Sequence, residues 1–348
     1  EAEGVLQVLQ SGMLVQGKLV AEFEQRFADY CGTRGAVATN SGTAALHAAL
    51  HAAGIGPGDE VLVPSFTFFA TASSVSMCGA TPVFVDVDRS TFNIDPASLA
   101  EHVTPRTKAV VGVHLFGQPF DLAAVQEICE DRALLLVEDA AQAHGATYGG
   151  RKVGSFGIAG CFSFYATKNM ITGEGGMVTA DDPAFLERVR LFINHGQSQK
   201  YLHTTLGYNL RMTDLEAAIG LVQLQKLEGF NERRRHNADY YDRHIRTRGL
   251  SLPFCMPGVR HVYHQYVVRV EESCPLARDA LSQYLNGRGV GNAVHYPIPL
   301  HMQPLYRSPS SNGLCPVAER LAAQVLSLPV HPGVTDEQLD YVCSVLNE

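Results

Sequence analysis

Short apolar segments rich in β-branched residues alternate with helical segments through the first half of the chain. The predicted strands are Ala36–Thr39, Glu60–Pro64, Val83–Val87, Lys108–His114, Leu134–Glu138, Gly160–Tyr165 and Gly176–Ala180. Several are almost continuous in Val, Leu, Ile and Phe, which is typical of strands covered on both faces. The helical patterns between them are Thr43–Ala53, Phe69–Cys78, Leu122–Asp131 and Pro183–Phe192. This alternation predicts an α/β fold whose seven-stranded, mostly parallel sheet lies between helices.

The second half of the chain predicts a smaller α/β unit behind a long helix. The helix is expected from about Thr213 to Arg248, and the elements that follow it are a strand at His264–Val270 and helices at Leu276–Asn286 and Asp336–Leu346. A chain of 348 residues is long enough for two domains. We therefore expect a large domain at 1–235 and a small C-terminal domain at 236–348. The charged run Asn231–His236 is interpreted as a solvated helix face or a bend, although Arg233–Arg235 within it is also a candidate diphosphate contact.

Composition excludes several classes of protein. Hydrophobic residues make up 46% of the chain and charged residues 18%, so a large core is expected. A net charge of -8 argues against nucleic acid as a partner, because phosphate backbones select basic surfaces. No apolar run approaches the roughly 18 residues of a membrane span. The eight cysteines form no CxxC pair and no close Cys/His cluster, so we predict no metal site and a reducing, cytoplasmic environment.

The segment Thr39–Leu46 predicts a phosphate-binding turn. A strand ends, a turn of small residues follows, and an Ala/Leu helix begins. Free N–H groups at a helix start favour an anion, and Gly42 permits close backbone approach. The alternative is an ordinary helix cap without a ligand. The glycine-rich segment Gly54–Asp59 precedes a strand and is not GxGxxG, which argues against a dinucleotide-dependent oxidoreductase.

Two further strand ends carry groups suited to a cofactor. The strand before Asp139 ends in two carboxylates, at the edge where ligands of open α/β sheets bind. A carboxylate there can pair with the ring nitrogen of pyridoxal phosphate (PLP), although Asp139 could also cap a following helix. Ser163 interrupts another apolar strand, and Lys168 lies just beyond its end. A lysine in a desolvated pocket can form a Schiff base, whereas a surface lysine is the common alternative. The order of these segments along the chain predicts one PLP pocket.

With these motifs in place, the chain resembles the DegT/StrS family of PLP-dependent nucleotide-sugar aminotransferases, which have fold type I. The resemblance covers nearly the whole chain. The segments that carry it are Glu22–Glu24, Ser41–Thr43, Val63–Phe68, Glu138–Gly145, Phe162–Asn169, Gly207–Met212, His295–Pro297 and Ser327–Pro329.

The resemblance implies specific roles for residues of this sequence. Lys168 matches the Schiff-base lysine, and Asp139 matches the acid that pairs with the pyridine nitrogen. Gln142 matches a position beside the phenolic oxygen, and Phe68 an aromatic ring stacked on PLP. The positions that match the phosphate site are Thr43, Ala44 and Ser163.

The family pattern also implies an assembly and a reaction. Asn209 matches a residue that reaches the PLP phosphate of the neighbouring subunit, which implies a homodimer with shared active sites. Glutamate is the expected amino donor, and it converts PLP to pyridoxamine 5'-phosphate. The acceptor is then a keto-sugar linked to UDP, dTDP or GDP. The Thr172–Gly176 turn favours a 4-keto-6-deoxy hexose.

Several alternatives stay open at this point. The enzyme could be a 3-keto sugar or cyclitol aminotransferase, or a PLP-dependent sugar dehydratase, although Lys168 argues against the last. A PLP-binding regulator without turnover is a further alternative. His295, Tyr296 and His301 are candidate substrate contacts near the domain junction, and packing or surface polarity is an equal alternative for the two histidines.

Overall fold

The computed structural model describes all residues, 1–348. The elements of the first two thirds are α1 (Ala2–Ser11), α2 (Lys18–Cys31), β1 (Gly35–Thr39), α3 (Gly42–Ala52), β2 (Glu60–Pro64), α4 (Ala70–Met77), β3 (Thr81–Val85), α5 (Pro96–Glu101), β4 (Thr107–Val113), α6 (Leu122–Asp131), β5 (Leu135–Asp139), β6 (Thr147–Tyr148), β7 (Arg151–Lys152), β8 (Ala159–Ser163), β9 (Gly176–Ala180), α7 (Pro183–Ile193), β10 (Gln197–Gln199) and β11 (Leu202–His203). Those of the last third are α8 (Asp214–His244), β12 (Leu250–Ser251), β13 (Val259–Arg260), β14 (Tyr266–Val270), α9 (Arg278–Gly287), α10 (Pro316–Gln324), β15 (Val325–Leu328) and α11 (Asp336–Asn347).

A seven-stranded sheet forms the centre of the molecule, in the order β1-β9-β8-β5-β4-β2-β3. Strand β9 is antiparallel to both of its neighbours, and the other neighbouring pairs are parallel. The predicted α/β fold with a mostly parallel sheet is therefore confirmed. Strand β3 lies two residues earlier than predicted, because Val87 forms an isolated bridge with Ile94 instead of extending the sheet.

Helices cover both faces of this sheet, as the apolar strands require. In β2, Val61 and Val63 belong to the core on one face, while Leu62 between them belongs to the core on the other face. Residues from α3, α4 and α7 complete the first core, and residues from α2 and α6 complete the second. Burial on both sides leaves the carboxyl ends of the strands as the accessible edge of the sheet.

The C-terminal part has its own core around a three-stranded antiparallel sheet, β12-β14-β15. Helix α8 begins with a capping box between Thr213 and Glu216 and runs without interruption through residue 235. Its Leu227 packs in a core of the central sheet, and its Tyr241 packs in the C-terminal core. The helix therefore joins the two parts, and the division at residue 235 stays a prediction.

The charged run in α8 is not the fully solvated face that the sequence indicates. Arg234 is only 6% exposed, and its guanidinium donates hydrogen bonds of 3.2 Å to the carbonyl oxygens of Tyr263 and His264. Arg233 pairs with Asp336 and Arg235 pairs with Glu232, so a diphosphate would have to compete with these carboxylates. No helix is both long and apolar enough to cross a bilayer. No group of three or more His, Cys, Asp or Glu side chains is placed to hold a metal ion.

Candidate active site

A cavity of about 1020 Å³ lies between the carboxyl ends of the central strands and the C-terminal part. Its walls include Asp139 at the end of β5, Ser163 at the end of β8 and Lys168 beyond it. The sequence-predicted residues that line it are Gly42, Thr43, Phe68, Asp139, Gln142, Ser163, Lys168, His295 and Tyr296. Residues that are far apart in the chain are thus brought to one site.

Asp139 is held rigidly at the floor of this cavity. The Thr71 hydroxyl donates a hydrogen bond of 2.8 Å to Oδ2, and the Ala141 N–H donates one of 3.2 Å to Oδ1. Burial raises the pKa of Asp139, while these hydrogen bonds and the charge of Lys168 oppose the rise. The alternative of a helix cap is wrong, because turns and not a helix follow β5.

Lys168 extends into the same cavity and is not a surface lysine. Desolvation lowers the pKa of its amine to about 8, and the carboxylate of Asp139 opposes this change. A lysine in this state is uncharged in a larger fraction of molecules near neutral pH, so it is a better nucleophile than an exposed lysine.

The turn before α3 combines a helix cap with free backbone donors. The Ser41 hydroxyl accepts a hydrogen bond of 3.1 Å from the Ala44 N–H, while the N–H groups of Gly42 and Thr43 have no acceptor in the chain. The Ala44 N–H is thus already bonded within the chain. The phosphate role that the resemblance implies for Ala44 stays a prediction. A Cβ on Gly42 would lie 2.6 Å from Cβ of Ser163, so the turn can approach β8 only with glycine there.

Gln142 and Phe68 complete the wall around Asp139. The Phe116 N–H donates to Oε1 of Gln142 at 2.7 Å, and Nε2 of Gln142 donates to the Tyr296 hydroxyl at 3.0 Å. The Phe68 ring lies 6.2 Å from that of Tyr296, centroid to centroid, and is 55% exposed. An aromatic face is thus left open at the cavity.

The remaining candidates separate into two groups. His295 lines the cavity with Nδ1 at 2.9 Å from the Ser327 hydroxyl. The expectation that His301 contacts substrate is not met, because its ring is wholly buried between Ser65, at 2.5 Å, and Glu319, at 3.2 Å. Asn209 is exposed and lies outside the cavity of its own chain.

Sequence reasoning missed Thr71 and His264. Thr71 lies in the predicted helix Phe69–Cys78, where a hydroxyl carries no signal of a role at a distant strand end. His264 begins a predicted strand, and the structure places it in the cavity wall. A polar residue at the start of an apolar strand is its only sequence signal.

The chain matches the profile of the DegT/DnrJ/EryC1/StrS aminotransferase family over residues 1–347. It belongs to this family. Like the family, it is a PLP-dependent sugar aminotransferase, and this confirms the resemblance drawn from its motifs.

Three relatives illustrate the range of the family. GDP-perosamine synthase of Caulobacter vibrioides is 42% identical over 336 residues, covering 95% of this chain and 90% of that protein. UDP-N-acetyl-3-dehydro-alpha-D-glucosamine 3-aminotransferase of Acidithiobacillus ferrooxidans is 40% identical, covering 99% and 92%. A protein of Geobacillus stearothermophilus named pleiotropic regulatory protein is 41% identical, covering 98% and 92%.

Solved structures agree with this assignment. DesV of S. venezuelae, in complex with a ketimine intermediate, superposes with a TM-score of 0.94 at 41% identity, covering 99% of this chain and 93% of that one. Spr1654 of Streptococcus pneumoniae, solved in a PLP form, has a TM-score of 0.92 at 30% identity, covering 99% and 94%.

The residues of the cavity fit PLP chemically. The Lys168 amine suits its aldehyde, the Asp139 carboxylate suits its ring nitrogen, and the open face of Phe68 suits its ring. The unpartnered N–H groups of Gly42 and Thr43 at the start of α3 suit its phosphate.

Proposed function

We propose that this aminotransferase moves an amino group from an amino acid, with glutamate as the proposed donor, to a keto-sugar linked to a nucleoside diphosphate. The observation that carries the proposal is the joint placement of Lys168 and Asp139 in one cavity of about 1020 Å³. That volume is at the upper end of ligand pockets, about 300–1,000 Å³, and leaves room for a sugar nucleotide beside the cofactor.

The proposed roles follow from the contacts of each residue. When bound, PLP supplies an electron-withdrawing ring that accepts the electron pair released at the substrate carbon. Lys168 holds the cofactor covalently, and its freed amine then moves the proton at the substrate carbon. Asp139, fixed by Thr71, keeps a proton on the ring nitrogen. Gly42 and Thr43 orient the phosphate through their N–H groups.

The assay must test more than one position of the ketone on the sugar. The sequence favours a 4-keto-6-deoxy hexose, whereas the Acidithiobacillus ferrooxidans relative is named for a 3-dehydro sugar. The assay must therefore include 3-keto and 4-keto hexoses linked to UDP, dTDP and GDP.

A homodimer with shared active sites is part of the proposal. Its support is the position of Asn209, which is exposed and outside its own cavity, as expected of a residue that serves a neighbouring subunit. Large apolar side chains are exposed nearby at Tyr201, Leu206 and Tyr208. Such exposure favours burial against a second copy. The domain division at residue 235 and the cytoplasmic location are kept as predictions.

The test is amine transfer by PLP-loaded protein. Glutamate is supplied with each nucleotide keto-sugar, and 2-oxoglutarate and the aminated sugar are measured by mass spectrometry, with Lys168→Ala as the control. Equal amounts of the two products support the proposal. A deoxygenated sugar without nitrogen would instead identify a dehydratase. If neither glutamate nor the other amino acids, tried in turn, yield a keto acid, the outcome favours a regulator without turnover. The Geobacillus stearothermophilus relative is named as a regulatory protein.

A further inference from the structure

His264 lies in the cavity wall at the junction of the two parts of the chain, and Arg234 binds its backbone. The Arg234 guanidinium donates hydrogen bonds to the carbonyl oxygens of Tyr263 and His264. The His264 residue is only 5% exposed. The ring is therefore almost entirely enclosed, and its hydrogen-bond partners can be assigned atom by atom.

Two backbone carbonyls fix the orientation of the amides next to His264. The Asn231 Nδ2 donates to the carbonyl oxygen of His144 at 2.8 Å, so its Oδ1 is the acceptor for Asn169. The Asn169 Nδ2 donates to that Oδ1 at 2.9 Å and to the carbonyl oxygen of Val262 at 3.1 Å. Both amides are fixed because a carbonyl oxygen can only accept. The Oδ1 of Asn169 must therefore face His264.

This orientation selects one tautomer of the His264 ring. Its Nδ1 lies 3.2 Å from Oδ1 of Asn169, so Nδ1 carries the proton and donates. In the neutral ring, Nε2 is then an acceptor without a proton. Nε2 makes no hydrogen bond within the chain, and it is not fully buried. Since His264 lines the cavity, this lone pair is accessible from the cavity.

The surroundings also keep the ring neutral. Burial and the positive charges of Lys168 and Arg234 hold the pKa of His264 well below its usual range. An uncharged acceptor selects its ligand, because Nε2 repels a carboxylate oxygen and attracts an N–H or O–H group. A sugar presents hydroxyl donors on several carbons, whereas the only donor of glutamate is the amino group that reacts.

We propose that Nε2 of His264 accepts a hydrogen bond from a hydroxyl of the sugar bound beside Lys168, and that this contact contributes to sugar selection. The inference rests on the proposed nucleotide-sugar substrate. Lys168 and His264 both line this cavity, and the charge of Lys168 acts on the His264 ring, so a sugar in reach of the Lys168 amine also lies close to this ring.

The first test needs no substrate. Protein labelled with ¹⁵N-histidine is examined by NMR between pH 6 and 9, and His264 is assigned from the signal lost in His264→Asn. We expect a neutral ring with a protonated Nδ1 and an unprotonated Nε2 throughout this range. A proton on Nε2, or a charged ring at pH 7, would overturn the proposal.

The second test compares the wild-type enzyme with His264→Asn. The asparagine amide can still donate to Asn169 from a position close to that of Nδ1, but it lacks the Nε2 acceptor. The substrate is the keto-sugar that the enzyme accepts among the 3-keto and 4-keto hexoses linked to UDP, dTDP and GDP. We expect kcat/KM for this sugar to fall about tenfold in the variant, as for a lost hydrogen bond. Deoxy analogues that lack one hydroxyl each supply the matched comparison.

For one analogue, wild type and variant should differ far less, because the hydroxyl that His264 contacts is already absent. A loss of the same size with every analogue, or an equal loss in the rate with glutamate, would show a structural role instead and sink the proposal. If wild-type protein aminates none of these sugars, the proposed function fails and takes the sugar contact with it. The assay of the wild-type protein is enough to reveal that outcome, so it can be distinguished from a result that contradicts only the proposed contact of His264.

Discussion

The Thr71 hydroxyl donates a 2.8 Å hydrogen bond to Oδ2 of Asp139, across 68 positions of sequence. Thr71 lies on α4 and Asp139 at the end of β5, so the contact joins a helix to the sheet edge beneath the cavity. The hydrogen bond holds the carboxylate in place and offsets part of the free-energy cost of burying its charge. Asp139 can therefore be charged where the ring nitrogen of PLP is expected.

Replacing Asp139 by asparagine removes this charge with little change of shape. We expect Asp139→Asn to slow the reaction with glutamate about 10²- to 10³-fold, the range for losing one preorganised electrostatic group. The rate of 2-oxoglutarate release measures the effect, and the thermal midpoint should change little. Thr71→Val should show a smaller loss that Thr71→Ser restores. Unchanged turnover in Asp139→Asn would exclude the ring-nitrogen role.

Lys168 is predicted to be the covalent attachment point of PLP. Lys168→Ala should retain no cofactor after borohydride reduction and denaturation, whereas wild type should carry it on the peptide that contains Lys168. Mass spectrometry of the digested protein measures this, with Lys152→Ala as the control from a site outside the cavity. A reduced adduct on Lys168→Ala would place the attachment at another residue.

The lowered pKa of Lys168 predicts a pH-dependent stability of the cofactor-free protein. The folded value of about 8 lies below the ordinary 10.5, so between these values the unfolded chain binds more protons and stability rises with pH. Below pH 8 the full penalty applies. Lys168→Met should therefore stabilise the cofactor-free protein by about 2 kcal/mol at pH 7, with a smaller gain at pH 9.5.

Urea unfolding at both pH values measures the difference. Lys18→Met, at an exposed lysine, is the matched control and should change stability little at either pH. A gain from Lys168→Met that is equal at pH 7 and 9.5 would mean that packing and not charge is responsible.

Two glycine-to-alanine substitutions should have opposite effects. A Cβ on Gly42 would lie 2.6 Å from Ser163, so Gly42→Ala should destabilise by about 1–3 kcal/mol and weaken PLP binding. Gly229 lies in α8 with nothing within 4 Å of its would-be Cβ, so Gly229→Ala should stabilise by about 0.5–1 kcal/mol. Thermal unfolding with and without PLP compares them. Equal PLP affinity in wild type and Gly42→Ala would show that this turn does not bind the PLP phosphate.

Local patterns predicted more of the fold than of the contacts inside the site. Glu60–Pro64 and Leu122–Asp131 begin and end as predicted, because the spacing of apolar residues is a local signal. The burial of Arg234 was missed because its partners, Tyr263 and His264, become neighbours only when α8 packs on the junction. A charged residue in a charged run carries no sign of such distant acceptors.

Asn209 gives the sharpest test of the proposed dimer. Lys168→Ala removes the amine from a subunit's own site, and Asn209→Asp should place a negative charge against the PLP phosphate of the partner's site. If the sites are shared, a mixed dimer of the two variants has one site with both changes and one intact site. Co-expression should then recover about a quarter of wild-type activity from two inactive variants, since half of randomly assembled dimers are mixed. If Asn209 serves its own subunit, every site in the mixture carries one change and no activity returns.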